Sequence, residues 1–154
     1  MTSMVIIGAG PGGYEAASVA AAGGVEVTVV EETGIGGAAV LTDCVPSKTL
    51  IATAEVTSTL RRAAELGLRH TETFEVDLDA VNFRVRQLAQ AQSDDISRGL
   101  ERKGVRLISG RARLATGAPG HLHRVVINDD ETIDADIVLL SLIHISEPTR
   151  QEAI

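Results

Sequence analysis

The chain is short of sulfur and of aromatic rings. One cysteine, Cys44, stands among 154 residues, with no tryptophan, one tyrosine and two phenylalanines. A single sulfur excludes a disulfide within the chain and a zinc site built on paired cysteines. With only Tyr14, Phe74 and Phe83 for aromatic bulk, the core has to be aliphatic. Cations are also in the minority: Lys and Arg number 14 against 21 Asp and Glu, a formal net charge of −7. That balance speaks against a nucleic-acid partner, whose binding needs a basic stripe. Long apolar runs are missing too. The longest, Ile137 to Ile145, is interrupted by Ser141 and His144 and falls far below the roughly 18 to 20 residues that cross a bilayer. The N-terminus, MTSMVII, carries no basic leader, and glycines break its apolar run at once, unlike a signal peptide. The expectation is a cytoplasmic protein with no membrane span.

What the chain does have is glycine, 15 residues clustered at Gly8–Gly13, Gly23–Gly24 and Gly34–Gly37. Hydrophobic residues make up 44% and charged residues 23%, the balance of an ordinary globular domain. The length fits one domain with a real core. The first glycine cluster closes the run VIIGAGPGG, in which Gly8, Gly10 and Gly13 satisfy GxGxxG. The pattern alone is weak, but its context is right. Met4–Gly8 reads as a buried apolar strand, Pro11–Gly23 as a small-residue helix, and Val25–Glu31 as a second strand ending in an acid, one βαβ unit. Gly8 permits the tight turn, Gly10 lets backbone approach a pyrophosphate, and Gly13 lets helix and strand pack closely. The helix N-terminus offers free N–H groups and a positive dipole end. Glu31 is placed to accept hydrogen bonds from a ribose diol. Both NAD and FAD use this arrangement, so the fingerprint does not choose between them.

Further along, Glu32–Thr42 reads as an extended glycine-rich loop. A helix is expected to begin near Cys44, with Pro46 in its first turn, where a missing N–H costs nothing, and Gly67 as its C-cap. Leu78, Val81, Val85, Leu88, Gln92, Ile96 and Leu100 recur at helical spacing and predict a second long helix ending near Gly104. The apolar stripes of the two helices are expected to pack together over the sheet. Val105–Ile108 and Arg111–Ala115 read as strands. Leu122–Ile127 and Thr132–Leu139 flank Asn128-Asp129-Asp130 and read as a β-hairpin. His121 and His123 alternate on that strand without a carboxylate or cysteine partner, and read as surface residues with no metal. His70 reads as a loop residue, and Arg61 and Arg62 as cations complementing a helix C-terminus.

The fingerprint together with GIGGAAVLTDCVPSK resembles the flavoprotein disulfide reductases, the family of dihydrolipoyl dehydrogenase and glutathione reductase. The resemblance covers Met4 to Leu139. It implies an α/β, Rossmann-like FAD-binding domain with a parallel sheet, a long helical pair and a small β-hairpin or meander. It also implies that the fingerprint, including Pro11 and Gly12, holds FAD, with Gly36, Gly37 and Ala38 in the loop along the cofactor. Lys48 matches a lysine that lies near the reactive flavin nitrogen in relatives, and Ala112 a position whose backbone contacts adenine. Members with disulfide chemistry carry two cysteines in a pattern like GGTCxNxGCxPSK. Here the first is Ala39 and the second Cys44, while Asp43 replaces the usual glycine.

Cys44 has two readings: an inert buried thiol, or a sulfur at a helix N-terminus beside the flavin, where thiolate is favoured. Either way no redox disulfide forms, and electrons must pass from flavin directly to an acceptor. The GGAAVLxDCVPSK form looks like a subgroup described as NAD(P)H quinone reductases. The expectation is therefore an FAD-dependent oxidoreductase using NAD(P)H as co-substrate and a quinone-type acceptor. Dihydrolipoyl dehydrogenase, a non-catalytic dinucleotide-binding module and an inactive truncated product stay as alternatives. Leu140–Arg150, LSLIHISEPTR, looks like a translated sequencing-library adapter, replacing the Ala-Thr-Gly turn of relatives. Residues 1–139 are thus expected to be the N-terminal part of an FAD domain and 140–154 a non-native tail. The NAD(P)H-binding domain, a second FAD segment and the dimer interface, which carries the histidine–glutamate acid–base pair of relatives, are expected to be missing. Homodimerisation belongs to the intact family and is not expected of this chain.

Overall fold

Two runs of consecutive β-branched and aliphatic residues, MVII and VTVV, have no polar side to turn to water, and such strands belong in a parallel sheet covered on both faces. The structure, a computed structural model, describes residues 1–68 and 75–141. The chain runs β1 (Ser3–Ile7), α1 (Pro11–Ala22), β2 (Glu26–Glu31), α2 (Gly37–Leu41), α3 (Cys44–Arg61), a 3-10 turn (Ala63–Leu66), and α4 (Leu78–Arg102). It continues as β3 (Arg106–Ser109), β4 (Ala112–Ala115), β5 (His123–Ile127), β6 (Glu131–Ala135) and β7 (Ile137–Leu140). The parallel sheet has the order β3-β2-β1-β7, with Ile6 opposite Val29 and Leu139. A second sheet, β4-β5-β6, is an antiparallel meander.

Alternation along β1 sorts the core into two layers. Ile6, with Val27 and Val29, faces the helices and packs with Ala17, Leu100 and Val105. Val5 and Ile7, with Val30, face the meander and pack with Val125, Ile127 and Ala135. Each Val, Leu or Ile among them contributes about 1.5–3 kcal/mol on full burial. The small face of α1 sets how closely the helix lies on the sheet: Ala17 is completely buried and Gly13 lies beneath the helix start.

The α/β class, the βαβ unit, the long helical pair and the meander agree with expectation, and several details do not. The Glu32–Thr42 segment is not extended throughout, since Gly36 (φ 99°) and Gly37 (φ 59°) turn the chain into α2. Gly67 caps the 3-10 turn in a left-handed conformation (φ 76°), while α3 itself ends at Arg61. The two long helices do pack against each other, but α3 has no buried residue, so it lies outside α4 rather than on the sheet. The segment expected to be one strand, Thr132–Leu139, is two. Asp136 breaks it by accepting hydrogen bonds from the Ser3 N–H (2.8 Å) and hydroxyl (2.9 Å), which sends β7 back to the parallel sheet beside β1.

The stripe on α4 is also shifted. Its buried residues are Val85, Ala89, Ser93 and Leu100, while Leu78 and Leu88 are exposed. Small side chains at Ala89 and Ser93 let α4 approach the glycine segment that precedes α2. His121 lies before β5 rather than on it, and it does have a carboxylate partner: its Nε2 is 3.4 Å from Asp136 Oδ1. His70 and Phe74 lie outside the described residues, as do residues 142–154 of the expected tail. The expected boundary after Leu139 falls inside β7, whose last residue, Leu140, pairs with Ile7.

Candidate functional site

Three segments distant in sequence meet at the C-terminal ends of β1 and β2, the edge where parallel α/β sheets present their crevices. The first is the fingerprint turn. Gly8 (φ 98°) donates its N–H to the Val30 carbonyl at 2.8 Å, and the chain enters α1 with Gly10 as N-cap and Pro11 in the first turn. A Cβ on Gly13 would lie 2.1 Å from the Gly8 carbonyl oxygen, so helix and strand touch there. A Cβ on Gly10 would meet nothing within 4 Å, because that position faces open space. No side chain caps α1, and its first turn carries no acid. Its leading N–H groups therefore stay available to an anion.

The second segment is Glu31 with the residues that follow it. Glu31 Oε2 accepts the Ala9 N–H at 2.7 Å, and Oε1 accepts the N–H and the hydroxyl of Thr33, each at 2.8 Å. Partial burial pushes its carboxyl upward, but the hydrogen bonds from Ala9, Thr33 and Gly34 outweigh this and hold the group below the ordinary glutamate value. Thr33 takes up both lone pairs of Oε1, so Oε2, which accepts the Ala9 N–H alone, is the oxygen left able to accept from a ligand hydroxyl. Beyond Thr33, Gly36 donates its N–H to the Ala9 carbonyl at 2.8 Å, and a Cβ on Gly37 would stand 3.1 Å from the Gly10 Cα.

The third segment is the start of β4. Gly110 donates its N–H to the Glu31 carbonyl at 2.9 Å. Asn128, in the β5–β6 turn with φ 51°, accepts the Arg111 N–H on its side chain and donates its own N–H to the Arg111 carbonyl, both at 3.0 Å. This sets Arg111 and Ala112 beside the fingerprint.

The three segments enclose a cleft of about 540 Å³. Gly8, Gly10, Pro11, Glu31, Gly37, Ala38 and Ala112 of the sequence-predicted set line it, and Ala39 joins them. Gly12, Gly13 and Gly36 do not line it: Gly13 and Gly36 are buried against Gly8 and Ala9, and Gly12 is exposed in the first turn of α1. Cys44 and Lys48 do not line the cleft. Both are exposed on the first turns of α3, and the exposed Cys44 thiol overturns the reading of a buried inert cysteine. Sequence reasoning passed over Thr33, Ser93, Asn128 and Ser141. Ser141 lines the cleft and donates its N–H to the Ile7 carbonyl at 2.8 Å, although it lies in the segment assigned to the tail. A second groove, of about 380 Å³ between α3 and α4, is lined by Leu50, Val76, Leu78 and Val81 and stands apart from the fingerprint. Among the described residues no group of acids, histidines and cysteines is arranged to hold a metal ion, and no helix is long and apolar enough to cross a membrane.

Comparison with known proteins places this geometry. The family described as pyridine nucleotide-disulphide oxidoreductase matches residues 2–142. A protein named NAD(P)H dehydrogenase (quinone) from Mycobacterium tuberculosis is 45% identical over 150 residues, covering 92% of this chain and 30% of that protein. A dihydrolipoyl dehydrogenase from Chlamydia muridarum is 36% identical over 110 residues, covering 71% of this chain and 23% of that protein. Among solved structures, LpdA from Mycobacterium tuberculosis superposes with a TM-score of 0.81 at 45% identity, covering 91% of this chain and 31% of that one. The HOCl-induced flavoprotein disulfide reductase RclA from Escherichia coli shares the fold at 20% identity, with a TM-score of 0.68 over 90% of this chain and 27% of that one. The chain thus spans under a third of the length of these relatives.

Proposed function

The chain belongs to the pyridine nucleotide-disulphide oxidoreductase family, and on that premise we propose that its cleft holds the ADP half of FAD. The residues present fit that group. Gly10 leaves an open cradle that any side chain would fill, and the uncapped N-terminus of α1 meets it with N–H groups and a positive dipole end. Glu31 is held ionised at the end of β2, where the ribose of such a ligand would lie. Ala112 and the Gly37–Ala38 backbone form the remaining walls. When bound, the flavin supplies hydride acceptance and electron transfer, and the chain supplies position and electrostatics.

We further propose that the protein is the FAD-binding part of an NAD(P)H-dependent oxidoreductase that passes electrons to a quinone-type acceptor. The observation that carries this is at Ala39 and Cys44. Thiol–disulfide exchange needs an attacking thiolate and a resolving sulfur, and the chain has one cysteine. Ala39, on α2 and in the cleft wall, stands where the resemblance puts the first cysteine of the pair, with Cys44 in the position of the second. The name of the 45% identical relative supports the quinone reading. Lys48, about one turn into α3 from Cys44, is proposed to act near the flavin ring, and Cys44 to be a neighbour rather than a redox partner. The experiment is a titration of FAD into the protein, followed by flavin fluorescence. Saturable binding at one site per chain supports the assignment, and binding of NAD in preference to FAD contradicts it.

A further inference from the structure

Ser93 is 5% exposed in the middle of α4, a position where a helix normally presents an aliphatic side chain to its core. Its hydroxyl donates to the carbonyl of Ile35 at 2.6 Å, across 58 residues of sequence. The next residue, Gly36, donates its N–H to the Ala9 carbonyl at 2.8 Å. At the other end of the same residue, the Ala9 N–H is held by Glu31 Oε2 at 2.7 Å. Ala9 is completely buried and sits between Gly8 and Gly10, at the centre of the fingerprint turn. Ile35 packs into the core cluster against the helices, so the Ser93 contact has a firm seat.

We propose that Ser93 is a positioning residue for the dinucleotide cleft: through Ile35 and Gly36 it grips the Ala9 carbonyl while Glu31 grips the Ala9 N–H, and the two grips set the fingerprint turn before a ligand arrives. The proposal rests on the reading of the cleft as an FAD site. Nothing in the fingerprint itself requires α4, yet α4 is the element against which the loop from Thr33 to Gly36 is braced. A turn set in advance costs less ordering on binding, which raises affinity without adding a contact to the ligand. Removing the hydroxyl leaves the partly buried Ile35 carbonyl without this donor, a loss of the order that relaxes a loop.

The test uses the full chain as wild type, Ser93→Ala and Ser93→Thr. Without ligand, the amide resonances of Ala9 and Gly36 are followed by NMR together with their deuterium exchange. With ligand, FAD is titrated by flavin fluorescence, and circular dichroism melts report folding. In the wild type both amides should exchange at least a hundredfold more slowly than exposed loop amides. Ser93→Ala should shift both amides, speed their exchange, and weaken FAD binding about tenfold, the size of one lost buried hydrogen bond. Ser93→Thr keeps the hydroxyl and should stay within about threefold of wild type on the same scale. Fast exchange of Ala9 and Gly36 in the wild type would overturn the proposal whether or not the alanine variant folds. So would a folded Ser93→Ala with unchanged amides. Protected amides in a wild type that does not bind FAD would instead retire the FAD reading and leave the grip standing.

Discussion

Gly13 stands so close to Gly8 that a Cβ added to it would lie 2.1 Å from the Gly8 carbonyl oxygen. Real side chains never come that near, so α1 would have to lift from β1. Gly13→Ala should destabilise the fold by several kcal/mol, in the range of overpacking and strain in a core. Gly10→Ala meets open space and should leave the melting temperature nearly unchanged. Thermal melts followed by circular dichroism compare the two.

Glu31 gives the fold an acid-sensitive joint. Its folded pKa is lowered from 4.5 because backbone and hydroxyl donors to the carboxylate outweigh the burial that opposes its charge. A depressed carboxyl contributes stability above its unfolded value, and that contribution is lost as pH falls from about 4.5 through the lower folded value. Glu31→Gln should therefore melt below wild type at pH 7, and the gap should close toward pH 3 on the same scale of about a few degrees. A gap that stays constant across that range would contradict the role given to the charge.

Much of the fold was legible because its signals are local. Uninterrupted β-branched runs marked the buried parallel strands, and glycines marked the fingerprint turn. The hairpin turn was legible as well, since Asn128 and Asp129 tolerate the left-handed conformation they adopt, φ 51° and 65°. What was not legible depends on partners remote in sequence. Asp136 sits in a run that reads as one strand, and only its hydrogen bonds to Ser3 show where the chain changes sheets. Ser93 reads as a polar interruption of the α4 stripe until Ile35 is seen beside it. Its register with Val85 and Ala89, four residues apart, was the one signal available. The short helix α2 escaped notice because glycines at its start suit a loop equally well.

The wall formed by Arg111 and Ala112 depends on a residue in the β5–β6 turn. Asn128 both adopts φ 51° and bonds the Arg111 backbone twice. Asn128→Gly keeps the conformation and loses the side-chain bond, while Asn128→Ala loses both. The alanine variant should be the less stable by about 1 kcal/mol, read from denaturant melts.

Cys44 is exposed and alone. It should react with a thiol reagent at one equivalent per native chain, without prior unfolding. In a chimera joining residues 1–141 to the remainder of the Mycobacterium tuberculosis relative, Cys44→Ser should keep most NAD(P)H–menadione activity. The parent chimera should turn over lipoamide poorly, because no resolving sulfur stands at Ala39. Strong lipoamide reduction that vanishes in Cys44→Ser would reverse the choice of acceptor.

The central claim is that the cleft at the fingerprint turn holds the pyrophosphate of FAD, and Gly10→Val tests it most directly. A Cβ on Gly10 meets no atom within 4 Å, so the valine branch starts into the open space of the cleft. Titration of FAD into the wild type and Gly10→Val, with melts of both, should show saturable binding lost by at least a hundredfold, or more than about 2.7 kcal/mol, in a variant that still folds. Equal FAD affinity in the two folded proteins would contradict the assignment of the site.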